Sequence, residues 1–480
     1  MGRLIISEFK KIFKSKANII ILLVFFGFTI FGNFNSYNPI YNYDGANTIK
    51  DGKVLSDYEI LKNLDEDAQK FTGKIDKDKA KTMRNEYLAL MAKTKEGDSI
   101  DDKRMKEAFG NDYQSYLDKV ANRQINEDEF YQKYCANGCS FSVEQDAEGN
   151  TVFPVYYKND GIRRYYNLLY YDVSGRDSVI EDEEVYESTN PYYILSHKSE
   201  FLYPNGKYHE NLFYGMDQNK DKDVLLKYFS DKIETNSNEY HSTAANNVFL
   251  GNVTGGTSVF ILLLIAILLA NIFANETYYK TDQIIVPSKT GNTKITIAKC
   301  ITGALLAIGV ILLQWIIAFV IACIRLPLHD LNSVVITQFN TYAGMLNYAF
   351  TYSEVFISGF CIAILSAIVT AAITMTFSYF TRNRFGTIIP IILFLLIPMF
   401  VPIFSLLFKI PFLDFMFPSK AIMFDLLFKS GGMYEGVACI VMGKDVIPMI
   451  NVNYVVYTVI TIILLSAIII HSKKHKVQNR

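Results

Sequence analysis

The sequence predicts an α-helical polytopic membrane protein with six transmembrane helices and an α+β extracytoplasmic domain inserted between helices 1 and 2. Two observations carry that prediction. Six stretches, 17–43, 240–275, 300–324, 355–381, 385–408 and 446–472, contain no Asp, Glu, Lys or Arg, and a hydrocarbon core of about 30 Å needs roughly 20 apolar residues rising about 1.5 Å each. The charges are also partitioned. Residues 36–250 hold 27 Lys plus Arg against 39 Asp plus Glu, whereas the rest of the 480-residue chain holds 20 against 9. Two physically different regions share one chain whose net charge is only −1.

Residues 1–17 open the chain with Ile5, Phe9, Ile12 and Phe13 on one helical face and Glu8, Lys11, Lys14 and Ser15 away from it. That spacing predicts an amphipathic helix lying in the membrane interface on the cytoplasmic side. The spans follow at 18–34, 257–275, 300–323, 355–380, 387–408 and 453–471. The first is read as an uncleaved helix, because no small-x-small site occurs between Gly32 and Tyr37.

Lys and Arg cross a bilayer poorly during insertion, so short flanks set the orientation. With the N-terminus inside, the segments 1–17, 276–299, 381–386 and 472–480 collect fifteen basic residues, and the short outer segments 324–354 and 409–452 hold five. Both termini are therefore expected in the cytoplasm and residues 35–256 outside, in a plasma membrane; the Ile, Lys, Asn and Tyr bias points to an AT-rich bacterial source.

The expected outer domain begins with helix-compatible segments at 55–71, 76–95, 98–120 and 126–135, where Leu61, Leu64 and Ala68, or Tyr87, Leu88 and Met91, form apolar stripes. From Ser140 onward, Tyr, Val, Asn and Gly predict short strands mixed with helices. Twenty-three of the 32 tyrosines fall between residues 36 and 250, as packing residues or as a contact face. Cys135 and Cys139, separated by Ala-Asn-Gly, are candidates for a disulfide if that segment is extracytoplasmic. Two apolar clusters within 409–452 are too short to span and suit re-entrant or interfacial helices.

Motifs for chemistry are missing. There is no phosphate-binding G-x-x-x-x-G-K-[ST], no H-E-x-x-H and no G-x-S-x-G, so the chain is not expected to be an enzyme or to hold a cofactor. Asp217-x-Asn219-x-Asp221-x-Asp223 starts like a calcium loop, but Lys222 and Tyr228 stand where Gly and Glu are needed, and no metal is expected. No acidic or basic residue lies mid-span, where ion-coupled carriers place one. Gln314, Thr370, Thr374 and Thr376 are candidates to line a pathway, or to join helices by hydrogen bonds. Pro390, Pro398 and Pro402 allow kinks in the fifth span.

The segment 276–299 is the most informative. Glu276 is followed by Ile284-Ile285, Pro287-Ser288, Lys289 and then Lys299. This order resembles the first cytoplasmic loop of ABC-2 type transporter permeases, with Lys280-Thr281 departing from that family's usual Gly-Thr. An interfacial first helix, six spans and short outer helices before the last span are similar to the same family, in the subgroup with a large extracellular insertion. The resemblance implies the permease subunit of an ATP-binding-cassette exporter for a peptide, antibiotic, lipid or ion. ATP would then sit on a separate ATPase subunit, and the permease would pair with a second copy or a sister chain in the lipid bilayer. No nucleic-acid partner is expected. Glu276, Tyr279, Lys280 and Asp282 are the expected ATPase-docking residues. A different class, a membrane-anchored interaction protein similar to phage-infection or secretion-accessory proteins, shares one span, a large outer domain and five further spans.

Overall fold

The computed structural model describes residues 1–40, 47–74, 77–95, 140–145, 151–174, 239–242, 244–255, 257–278, 291–333, 350–401, 416–423 and 439–478, with scattered residues in 103–124 and 224–231. Its contacts divide the chain into two compact units. One is Met1–Phe34, Leu202–Asn236 and Asn246–Arg480; the other is Asn35–Phe201 and Ser237–Ala245.

In chain order, α1 (Gly2–Lys14) and α2 (Lys16–Asn35) come first. The inserted unit follows with β1 (Ile49–Lys50), β2 (Lys53–Val54), α3 (Asp57–Ala68), a 3-10 turn at Gln69–Phe71, β3 (Gly73–Lys74) and α4 (Lys77–Lys95). Next come β4 (Ser140–Gln145), β5 (Thr151–Tyr157), α5 (Asp160–Ser174) and β6 (Glu239–Tyr240). The chain then forms α6 (Ala244–Thr254), α7 (Thr257–Leu269), α8 (Asn271–Tyr278), α9 (Gly291–Arg325), α10 (Tyr352–Thr381) and α11 (Arg384–Phe400). It closes with α12 (Pro418–Ile422), β7 (Cys439–Met442), β8 (Asp445–Pro448) and α13 (Met449–Gln478).

Five helical stretches among the described residues are long and apolar enough to cross a membrane: Lys16–Asn35, Ala244–Glu276, Asn292–Arg325, Tyr352–Thr381 and Met449–Lys474. This is the character of a multi-pass helical membrane protein. The expected fifth span, 387–408, is represented by α11, an apolar helix too short for that set. Its stop has a local cause: Val401 precedes Pro402 and adopts extended backbone, as the proline ring demands of its predecessor. The second and third spans start earlier than the expected 257 and 300, at Ala244 and Gly291, because polar Asn and Thr residues near those starts are compatible with helix.

Within the apolar unit α10 is central, packing against α7, α8, α9, α11, α12 and α13. Small residues let these helices approach. Gly359, Ala363, Ala367, Ala371 and Ala372 are buried along α10, and a Cβ at Gly303 of α9 would lie 2.4 Å from Met375 Sδ. The α10 N-terminus is fixed by a capping box between Thr351 and Glu354. Its C-terminus turns at Arg382, in the left-handed region at φ 51°, into Asn383, whose Oδ1 accepts the Phe385 and Gly386 N–H groups and starts α11. Apolar side chains of α2 and α13, such as Leu23, Phe28, Phe31, Val455 and Ile463, face outward.

Within 409–452, most of the two apolar clusters expected to form short outer helices, 410–417 and 421–428, lies outside the described residues. The described part holds one short helix, α12, and a hairpin in which β7 pairs with β8 from Cys439↔Pro448 to Met442↔Asp445. The two-residue turn is Gly443-Lys444, and Gly443 supplies the positive φ, 68°, that such a turn requires.

The inserted unit packs α5 against α3 and α4. Both predicted stripes turn inward: Leu61, Leu64 and Ala68 of α3 and Tyr87 and Met91 of α4 are buried, with Tyr165, Leu169 and Tyr170 of α5 against them. Tyr87 stacks obliquely on Tyr170 at 5.2 Å and donates its hydroxyl to Asn167 Oδ1 at 2.8 Å. These tyrosines act as core residues. Ser56 caps α3 in a reciprocal box with Glu59, and hydrogen bonds from Lys53 and Ser56 bring the Glu59 carboxyl down to about 2. Antiparallel pairing of Gly73 with Tyr240 and Lys74 with Glu239 joins the two chain segments of the unit. The strands β4 and β5 pair from Ser140↔Tyr157 to Gln145↔Thr151, the predicted mixture of strand and helix. The segment 126–135 and most of 98–120 lie outside the described residues.

Candidate functional site

The second apolar span is interrupted at Ala270, between α7 and α8. In an unbroken helix the Phe273 N–H would donate to the carbonyl of Leu269. Here it donates to Ser378 Oγ at 3.3 Å, and the Ser378 hydroxyl in turn donates to the Ala270 carbonyl at 2.7 Å. A side chain of α10 is thus stitched into the backbone ladder of another helix. One residue before Phe273, the Ile272 carbonyl accepts Lys299 Nζ of α9 at 2.6 Å.

Lys299 is buried, with 1% of its side chain exposed, and its ammonium lies 2.6 Å from Glu276 Oε1 and 4.7 Å from the Phe273 ring centre. An isolated charge would not persist in such a place. The ammonium is held by a carboxylate, a carbonyl and an aromatic face together. Glu8 of α1 is near enough for its charge to act on Lys299, as is Lys11, which pairs with Glu8. The helix α1 packs directly on α9.

Glu8 departs from the solvent-facing position that the amphipathic pattern assigns it. It is buried together with Ile12 one turn away. The buried carboxylate is paired with Lys11 at 2.5 Å, which supplies the opposite charge such a position needs.

The same end of the unit is tied further. The Tyr379 ring packs edge-on against Phe273 at 5.2 Å, and its hydroxyl lies 3.1 Å from His471 Nδ1 of α13. Asn292 of α9 donates to the Ser472 carbonyl of α13 at 3.1 Å. Five helices, α1, α8, α9, α10 and α13, therefore meet around the break.

A second interruption, after Thr254, separates α6 from α7. Ser258 Oγ donates to the Val253 carbonyl at 2.7 Å and accepts Gln314 Nε2 of α9 at 3.4 Å. Gln314, a candidate pathway residue, thus braces a helix break. Thr374 and Thr376 donate back to the carbonyls of Thr370 and Ala372 in their own helix, and Thr370 and Thr374 are buried. No described hydrogen bond joins Gln314 to these threonines.

Of the four expected docking residues, Glu276 is the one described, and it turns toward Lys299 with 20% of its side chain exposed. Tyr279, Lys280 and Asp282, the candidate disulfide Cys135–Cys139, Pro402 and the acidic run at 217–223 lie outside the described residues. Sequence reasoning placed Lys299 at a helix start and overlooked Ser378. The signal for Lys299 was present: it is the last charge before Arg325 in a helix that runs from Gly291, and a lysine inside an apolar span needs a partner. Comparison with known protein families, with curated proteins and with solved structures finds no match.

Proposed function

We propose that this chain is the membrane-spanning permease subunit of an ATP-driven exporter, with ATP hydrolysed on a separate subunit docked at the 279–290 loop. The observation that carries the reading is the ion pair between Glu276 and Lys299. The helices α8 and α9 enter and leave that loop, and the pair joins them near it. A push on the loop would reach both helices as one body, while the break at Ala270 lets α8 tilt against α7 at small cost in backbone hydrogen bonds. Glu8 extends the cluster to α1, the amphipathic segment expected to lie along the cytoplasmic interface. Six spans, with α11 as the fifth and α13 as the sixth, both termini inside and the inserted unit outside complete the proposal.

In this reading Glu276 acts through Lys299, and docking falls to Tyr279, Lys280 and Asp282. The cargo class is amphipathic, because the buried polar groups of the bundle are hydroxyls and amides more than charges. The test is purification of the tagged chain from its native membrane in mild detergent, with identification of co-purifying chains and an ATP hydrolysis assay. A stoichiometric ATP-hydrolysing partner is expected. A chain that emerges alone and without hydrolysis would move the assignment to a membrane-anchored interaction protein.

A further inference from the structure

The inserted unit carries a cleft of about 740 Å³ whose lining includes the 3-10 turn, α4 and α5, within the roughly 300–1,000 Å³ range of small-ligand sites. Its lining mixes charged side chains, among them Lys50, Asp51, Asp67, Lys70 and Glu86, with apolar and aromatic ones, among them Phe71, Met83, Leu90 and Tyr166. The lining charges are not equally available. Asp67 accepts Lys50 and Lys70, each at 2.7 Å, and the Tyr165 hydroxyl at 2.5 Å. Lys50 also donates to Asn63 at 2.9 Å and sits 5.1 Å from the centre of the Tyr165 ring. Lys79 donates to the carbonyls of Phe71 and Thr72 at 3.0 and 3.3 Å.

All three lining ammonium groups are thus engaged. Asp51 and Glu86, also in the lining, are exposed and have no ion-pair partner among the described residues. The half-buried rings of Phe71 and Tyr166 share the cleft with these two carboxylates. Residues 36–250 as a whole carry 39 acidic against 27 basic residues, a field that concentrates cations near the surface.

We propose that this cleft binds cationic amphipathic molecules, with their positive groups at Asp51 and Glu86 and their apolar groups against Phe71 and Tyr166. Cations favour carboxylates and aromatic faces together, and Lys50 and Lys70 already have Asp67 as a partner. Binding here needs no ATPase, so its test is separate from that of the permease reading.

The experiment is isothermal titration of the full chain, in nanodiscs of zwitterionic lipid, with the amidated tetrapeptide Lys-Phe-Lys-Phe, after subtraction of empty nanodiscs. Saturable one-to-one binding is expected, weaker at high salt, with no binding of the amidated Glu-Phe-Glu-Phe. The double variant Asp51→Asn, Glu86→Gln should weaken binding about tenfold. Asn tolerates the positive φ, 51°, at position 51, so an unchanged melting temperature is expected and checks the fold. Absence of saturable binding, or equal affinity in the folded double variant, would overturn the proposal.

Discussion

Each unit of this protein builds a cluster of lysine and carboxylate, and the two clusters differ in how much water reaches them. In the apolar unit Lys299 is sealed, 1% exposed, and Glu276 is 20% exposed. In the inserted unit Asp67 is nearly covered at 11%, yet its partners Lys50 and Lys70 are 22% and 71% exposed. The Coulomb attraction between a pair grows as the local dielectric falls, and so does the penalty for leaving one member alone. The lesson is that similar chemistry fixes a junction where water is excluded and relaxes with the solvent where it is not. A sealed ion pair between two helices suits transmission of motion; an accessible one suits the wall of a binding cleft.

Substitutions should separate the two clusters. The largest effect is expected from Lys299→Met, which strands Glu276 and the Ile272 carbonyl and should cost about 3–5 kcal/mol, read as thermal unfolding in detergent. Lys50→Met leaves Asp67 with Lys70 and Tyr165 and should cost about 1.5–3 kcal/mol in hydrogen exchange of α3 in the full chain. Equal costs would break the comparison. Ser378→Ala removes the hydroxyl from the break at Ala270 and should cost about 1–2 kcal/mol, with faster exchange of the Phe273 amide as its signature.

The smallest effect is the response to acid. Burial pushes the Asp67 carboxyl up, but hydrogen bonds from Lys50, Lys70 and Tyr165 outweigh it and hold the group below the usual carboxylate range. A lowered folded pKa gives stability that is full above the unfolded value, near pH 4, and is lost as pH falls through the folded value. Protection of α3 against exchange should therefore decline below about pH 4 in wild type and decline less in Asp67→Asn.

The apolar spans were legible because uncharged length is a bulk property that any bilayer-scale helix must satisfy. The stripes on α3 and α4 were legible because helical period alone selects Leu61, Leu64, Tyr87 and Met91 as the inward face. The junction was less so. Lys299, Glu276, Ser378 and Glu8 lie on four helices, and no local pattern announces that Ser378 will reach a carbonyl 108 residues away. Glu8 was misplaced because amphipathic reading treats every carboxylate as solvent-facing, whereas a carboxylate with an ion-pair partner on its own helix, here Lys11, can turn inward. The β7–β8 hairpin was missed because its strands are four residues each, too short for alternation to register.

The most direct test of the central claim is retention of an ATP-hydrolysing partner by the purified chain and by two variants, Glu276→Lys and the exchange Glu276→Lys, Lys299→Glu. The account predicts stoichiometric retention by wild type, loss in the single variant and partial recovery in the exchange, because Glu276 acts through its pair with Lys299. Full retention by the single variant would contradict that role, and a wild-type chain isolated in several mild detergents without partner or hydrolysis would contradict the exporter reading itself.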